Sequence, residues 1–567
     1  MHSQCLGESQ VKSDSSDGSL QSAAFRDGGA ILTTLLMLLI SSPGMVLASY
    51  HELGYGEPYE LEGKRIVFTT WYWVKPGQFD YVNDEGESVF ARRDVKALPG
   101  DPHVHWKEID IPHGVRLVAE PAVKGEFPIK PEYPWEAEGI QITSVYQLDD
   151  GKIMAWGVCK PGGNCYFEST DGLTWIRPKL GLVEFNGSRD NNLGGPGSFR
   201  GMYDPSAPPQ ERFKQLSNEE WTVEEFEKHW KDKKPYQRMA VEINPKVVQA
   251  VWGFTSPDGL NWRRTELPLS VETCDGGQYL YYDRKLKKYV MIIRSHMIGP
   301  RAQGFAPQPK SDDWKEDYYK ATIRFGIGRS ESADFRYFPL ADPIIETGND
   351  MPPTDTFQYC LYTTIPKAPD HHLMFPTRWQ RSQDRCVIDL YSSYNGKTWN
   401  RVRAPVVDTS NWGQWDGGSV WALNGGLVEL GNGDWILPFR GDLLTTRYPR
   451  GHITQRWAAA IWPKGRLMAI EAEEQGGFAT VAIVAPASRL RINAVTRATG
   501  QILVEAAGLH GQTIPGRSFD ECVPINGDQY RRLISWKSAD DLGVKPGEPV
   551  MLRFRLSGAK IYCLDFE

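Results

Sequence analysis

The sequence predicts an all-β protein: a five-bladed β-propeller followed by a C-terminal β-sandwich. Three observations predict it: a hairpin led by an acid that returns along the chain, a turn motif interleaved with it, and the loss of both motifs near the C-terminus. The hairpin reads EGIQITSVYQLDDGKIMAWG from Glu138, DGGQYLYYDRKLKKYVMIIR from Asp275, DTFQYCLYTTIPKAPDHHLMFPTR from Asp355 and DGGSVWALNGGLVELGNGDWILPFR from Asp416. Each copy opens on a carboxylate, carries Gln or Ser at the third position after it, and runs strand, polar turn, strand. A weaker copy starts at Phe199-Arg200, with its return strand expected at about 236–243. Intervals of about 60 to 80 residues each accommodate four strands, which is one propeller blade.

The interleaved motif is SxDGxxW. It spans Ser169 to Trp175 and Ser256 to Trp262, recurs with Asn395 at Ser393 to Trp399, and is degraded over Ser330 to Phe335. Asp-Gly or Asn-Gly makes a tight hairpin turn, and the Trp packs between sheets. The motif resembles the Asp-box of sialidases and other β-propellers, where its role is structural.

Four segments follow. Residues 1–48 read as a signal peptide: a polar start, an apolar run from Ile31 to Ile40 too short to span a bilayer comfortably, and Val46-Leu47-Ala48 as the cleavage site. The mature chain is then secreted, to the periplasm or the exterior, without a membrane anchor. Residues 49–130 form a strand-rich segment that packs on or closes the propeller. The propeller takes 131–466. The sandwich takes 467–567, with strands LRINAV, QILVEAA, RRLISW, VMLRFRL and AKIYCLDF. Inside the propeller, 217–234 reads as a surface helix capped by Thr222 and Glu225, and 297–320 as a Pro-rich loop.

Composition narrows the function. A net charge of −7 argues against a surface that coats nucleic acid. Of eight cysteines, Cys5 leaves with the leader, and Cys159 and Cys165 flank a turn they can bridge. The chain has no CxxC pair, HExxH motif or Gly-rich phosphate loop, so neither zinc nor a nucleotide is expected. No cofactor is required. A calcium ion would suit an acid-lined channel. The partner expected is a carbohydrate, and the chain is expected to be a monomer.

In a propeller the first strand of each blade lines the channel and the second runs back. The residue before the first strand and the residue after the second therefore share one mouth. Glu138, Asp275, Asp355 and Asp416 are expected to ring that mouth, with Arg294, Arg378 and Arg440 around them. Two carboxyls at such a mouth suit glycoside hydrolysis, one as acid and one as nucleophile or base. Glu136 is the substitute for Glu138, and Glu429 is expected at the far face. The arginines suggest an anionic sugar, or else hold the blade acids in place. His296 is a candidate proton relay, Trp379 a stacking platform, and Asp204 a weaker polar contact. The competing readings are a non-catalytic glycan-binding propeller and a polysaccharide lyase or sialidase-like enzyme.

The layout, from about 130 to 567, resembles the levanase-, invertase- and arabinanase-like glycoside hydrolases of families 32 and 43. CYFESTDGLTWIRPKLGLVEFNGSRDNN and the C-terminal GRSFDECVPINGD, ISW and VMLRFRL are similar to secreted family-32-like proteins. The resemblance implies a secreted glycosidase. Its catalytic roles do not carry over, because WMNDPNG is absent and Tyr203-Asp204-Pro205 lacks the Arg of Arg-Asp-Pro. Glu521-Cys522 imitates the Glu-Cys acid motif but falls in the sandwich. Sialidases carry six blades, where five are counted here, with residues 50–130 the candidate for a sixth.

Overall fold

A computed structural model of the chain describes residues 57–85, 102–242, 244, 246–274, 276–297, 324–446 and 455–567. The expected leader, Asp275 and the Pro-rich loop beyond residue 297 lie outside the described residues.

Five sheets, antiparallel except where Asn424–Gly425 pairs parallel with the inner strand of the first, follow one another along the chain. Blade one holds Gly139–Gln147, Ile153–Lys160 and Gly163–Ser169. Blade two holds Gly201–Tyr203, Phe213–Thr222, Val247–Ser256 and Arg263–Arg264. Blade three holds Tyr279–Asp283, Lys288–Met297, Arg324–Ser332 and Asp342–Ile345. Blade four is built on Thr356–Ile365 and Ala368–Gln380, and blade five on Ser419–Ala422, Trp435–Asp442 and Gln455–Trp462.

Blade five takes its outermost strand from far upstream. Val123–Gly125 pairs antiparallel with Gln455–Trp462, Gly125 lying opposite Ala459. Residues from before blade one thus complete the last blade, and the sheet edge that blade five would otherwise expose is covered. Inner strands also meet across the channel. The Tyr279 hydroxyl of blade three donates to Leu423 O of blade five at 2.7 Å. Blades three and five are not neighbours in a ring of five, so this bond crosses the axis.

Blade two departs from the expectation. Its return strand is Phe213–Thr222, while 238–242 is a short helix. The stretch read as one surface helix is strand up to Thr222 and helix only over Val223–His229. The cap is as read: Thr222 Oγ1 accepts from Glu225 N at 3.2 Å. Acids follow that cap and Lys228 and His229 close the helix, matching the helix dipole. Phe226 and Trp230 are buried against Trp221 and Trp252, so the insertion carries its own small core.

The Asp-box turns share one geometry. Ser169 Oγ accepts from Gly172 N at 2.7 Å, Asp171 Oδ1 from Leu173 N and Thr174 N, and Trp175 Nε1 donates to Gly172 O. The same bonds recur around Gly259 and Gly396. All three glycines have positive φ, from 67° to 76°. The degraded copy sits two residues later than read. Ser332 and Asp334 hold the polar positions, Phe335 takes the glycine's place at φ 57°, and the buried Phe338 replaces the Trp.

The C-terminal strands form an eight-stranded sheet with Tyr59–Glu60, Arg65–Val67 and Arg116–Ala119 from the N-terminal segment. LRINAV and QILVEAA, read as two strands, are halves of Leu490–Ala507. VMLRFRL and AKIYCLDF are likewise halves of Pro549–Phe566. Pairing jumps from Thr496↔Ala559 to Gln501↔Ser557, so Arg497 to Gly500 bulge opposite Gly558. A second bulge lies at the same level, between Ala472 and Gln475. The long strands therefore bend together. One apolar core with Ile470, Ile492 and Ile561 from one half and Phe478, Val504 and Phe554 from the other joins the two halves. Cys159 and Cys165 are bonded, and the five other described cysteines are free and buried.

Candidate active site

Antiparallel pairing puts the start of each first strand beside the end of the second. Phe357 lies opposite Arg378, Trp421 opposite Arg440, and Ser419 opposite Asp442. Asp355 immediately precedes its strand and is buried. Its Oδ2 accepts from Arg378 Nη1 at 2.6 Å. Arg378 also binds Asp389 through Nε and Nη2, at 2.7 and 3.2 Å. Burial alone would lower the pKa of Arg378; its bonds to Asp389 and Asp355 outweigh that and raise it. All three guanidinium nitrogens bond carboxylates, so Arg378 holds the blade acids.

Asp416 repeats the arrangement one blade on, with a different cation. It is fully buried, and its Oδ2 lies 2.5 Å from Lys124 Nζ. Lys124 belongs to the strand that closes blade five. Asp355 Oδ1 and Asp416 Oδ1 are both buried and meet no hydrogen-bond donor among the described residues. Each acid therefore has one oxygen fixed by a cation and one oxygen unbonded, at matching places in adjacent blades.

A third buried acid belongs to the same blade as Asp416. Asp442 is the last residue of the second strand of blade five and is buried, with Oδ2 3.2 Å from Arg440 Nη2. Burial raises its pKa, and the neighbouring Arg440 only partly offsets this. Gly441 lets Asp416 close on this strand: a Cβ there would stand 2.6 Å from Asp416 Cβ. Sequence reasoning missed Asp442 because it sought acids before first strands. The signal was two residues past Arg440.

The other expected residues are placed as follows. Glu138 is exposed. Glu136 is buried and bound to Arg177, Oε1 to Nε, at 2.8 Å. Arg294 is buried, with Nη1 donating to Gln358 Oε1 at 2.8 Å and its guanidinium 4.6 Å from the Phe325 ring. Arg440 stacks over Trp421 at 5.0 Å. Trp379 is no open platform: it is buried with Cys386 and Trp421, and Arg381 covers its ring. An exposed aromatic near the acids is Trp412, 71% accessible and four residues before Asp416. Tyr359 is half-buried beside Trp421. His296 lies on a strand, but its side chain is outside the described residues.

Asp204 does not join the mouth. It follows the first strand of blade two, so it lies at the opposite, turn face, bound to Ser206 and to the Tyr289 hydroxyl. Glu429 also lies on that side, paired with Arg65 at 2.7 Å and Lys367 at 3.1 Å. Among the described residues no group of three or more His, Cys, Asp or Glu gathers to hold a metal ion.

No family model matches the chain. No curated protein matches it either. Solved structures do. One titled "Glycoside hydrolase" shares 13% identity over 61% of this chain and 94% of its own, at a TM-score of 0.36. The Bombyx mori GH32 beta-fructofuranosidase shares 11% over 77% and 95%, at 0.31. An exo-inulinase from Aspergillus awamori shares 10% over 78% and 98%, at 0.29.

Proposed function

We propose that the chain is a glycosidase that cleaves a carbohydrate at the acid mouth of its propeller. The observation that carries this reading is the pair Asp355 and Asp416, each buried with one oxygen bonded to a cation and one unbonded. Nucleophilic or general-base work needs such an oxygen, held in place and not satisfied by the protein. Asp442 is the proton donor in this reading, since burial favours its neutral form. Trp412 supplies an exposed ring on which a sugar face can stack. Arg378 is a positioning residue. An anionic substrate then depends on Arg294 and Arg440, and a neutral glycan needs neither.

A second reading is a non-catalytic glycan-binding propeller. The cation held by each buried acid favours it, because an ion pair can serve structure alone.

Sugar release separates the two. The chain from Ser49 onward is assayed on neutral glycans (fructan, arabinan, xylan) and on sialylated, uronate-bearing and sulfated ones. Release that falls by about 10²–10⁴ in Asp416→Asn and Asp442→Asn, with the fold intact, fits hydrolysis. Binding without release from any glycan would overturn the glycosidase in favour of the second reading.

A further inference from the structure

At the turn face, opposite the acid mouth, a cavity of ≈ 610 Å³ opens between the propeller and the N-terminal segment. Its volume falls in the range of small-molecule sites. Tyr59 of the N-terminal segment lines it with Tyr146, Tyr203, Tyr282 and Tyr362, one from each of blades one to four. Tyr279 marks its inner limit. The hydroxyl of that residue bonds Leu423 O and Asn424 Oδ1, and Asn424 Nδ2 bonds Ser198 Oγ. This layer of hydrogen bonds crosses the channel and divides the cavity from the acid mouth.

The charges around the cavity are largely committed. Asp149 pairs with Arg284 at 2.6 Å, and Asp370 binds Lys285 and the Tyr59 hydroxyl. Asp204 is filled by Ser206 and Tyr289. Besides the exposed Glu62, Asp283 is the exception. Its Oδ1 accepts from Leu286 N at 2.9 Å, while its buried Oδ2 meets no hydrogen-bond donor among the described residues. Arg329 Nη2 stands 3.9 Å away and is engaged by Glu331 at 3.1 Å.

We infer that this cavity is a second saccharide site, taking a neutral mono- or disaccharide whose hydroxyls donate to Asp283 and whose ring packs on the tyrosines. A phosphate ligand would need cations, and Arg284, Lys285 and Lys367 are already paired with acids. An apolar ligand would leave the Asp283 oxygen without a donor. A polyol supplies donors for it and C–H faces for the rings. The site is separate from the acid mouth and does not depend on cleavage there.

The test is calorimetric titration of the full chain with the methyl glycosides of glucose, galactose and arabinose, and with sucrose. Hydrogen exchange over residues 279–286 is followed alongside. Expected are saturable binding and slowed exchange in that segment. Asp283→Asn, which keeps the acceptor for Leu286 N, weakens binding at least fivefold. Tyr203→Phe, which keeps the ring, weakens it less. Trp412→Ala, at the exposed acid mouth, leaves it unchanged. The inference falls if no saccharide slows exchange at 279–286, if Asp283→Asn binds like the wild type, or if Trp412→Ala abolishes the binding.

Discussion

Asp442 is buried beside an arginine and still has a raised pKa, because the desolvation of its carboxylate outweighs the attraction of Arg440. A group whose folded pKa lies above its unfolded value stabilises the fold below the unfolded pKa and loses that contribution as pH rises through the folded one. Asp442→Asn is therefore expected to melt no lower than the wild type at neutral pH, while turnover collapses and KM changes little. The alkaline limb of the wild-type pH–rate profile should vanish with it; a variant that keeps that limb would remove Asp442 from the proton-donor role. Trp412→Ala tests the other side of the site. Removing one exposed stacking face should raise KM roughly 2- to 10-fold and leave kcat nearly unchanged, from the usual worth of an aromatic contact. The positions of Asp355 and Asp416 before their first strands were legible as a repeated letter. Asp442 and Trp412 were not, since neither repeats: one depends on burial and the other on exposure, which spacing does not report.

At the scale of the element, the Asp-box shows how a turn is chosen and what replaces it. Gly259 has φ 76°, and an added Cβ would meet Trp156 at 3.1 Å. Its carbonyl accepts from both Trp262 of its own turn and Trp156 of blade one, tying neighbouring blades together. Gly259→Ala should cost about 1–2 kcal/mol for the left-handed backbone alone, read as a lowered urea midpoint. Phe335 takes the same strained conformation, yet its ring is buried among Leu269, Leu280 and Phe338. Relief of strain by Phe335→Gly is worth about 1–2 kcal/mol, and loss of the ring costs about 3–5. The variant should be destabilised on balance; a gain would mean that packing there is weak. The degraded motif was misplaced by two residues for the same reason: the sequence shows no glycine where the turn needs one. The blade hairpins were legible because strand and turn alternate with strong β-formers. The long C-terminal strands were not, since a bulge at Arg497 to Gly500 reads like a turn.

For the whole molecule, the joint between the propeller and the C-terminal sheet is a buried polar one. Val67 N donates to His371 Nε2 at 2.7 Å, which requires that nitrogen to be unprotonated. Burial pushes the His371 pKa down to about 4. A depressed folded pKa gives stability that is present above the unfolded value, near 6.5, and is lost as pH falls through the folded one. The loss should amount to about 3 kcal/mol between about pH 6.5 and pH 4. His371→Gln should flatten that part of the stability profile; an unchanged slope would place the acid sensitivity elsewhere. His372, half-buried and lowered to about 3, bonds the Tyr362 hydroxyl and adds to the effect in the wild type. The count of five blades was readable from the repeats. The pairing of Tyr59–Glu60, Arg65–Val67 and Arg116–Ala119 with the C-terminal sheet was not, because strand pairing across hundreds of residues leaves no local trace.

The strand that fastens the ring also carries Lys124 to Asp416. A chain whose last blade has not captured that strand buries a carboxylate with no counter-charge, which costs toward the low end of ~3–5 kcal/mol for this partly exposed lysine. Lys124→Met should show that cost as lost stability and lost turnover together, whereas Lys124→Arg should recover much of both. Assembly is thus inspected at the point where the work is done: an unclasped propeller is also a blank one, and only finished molecules go into service.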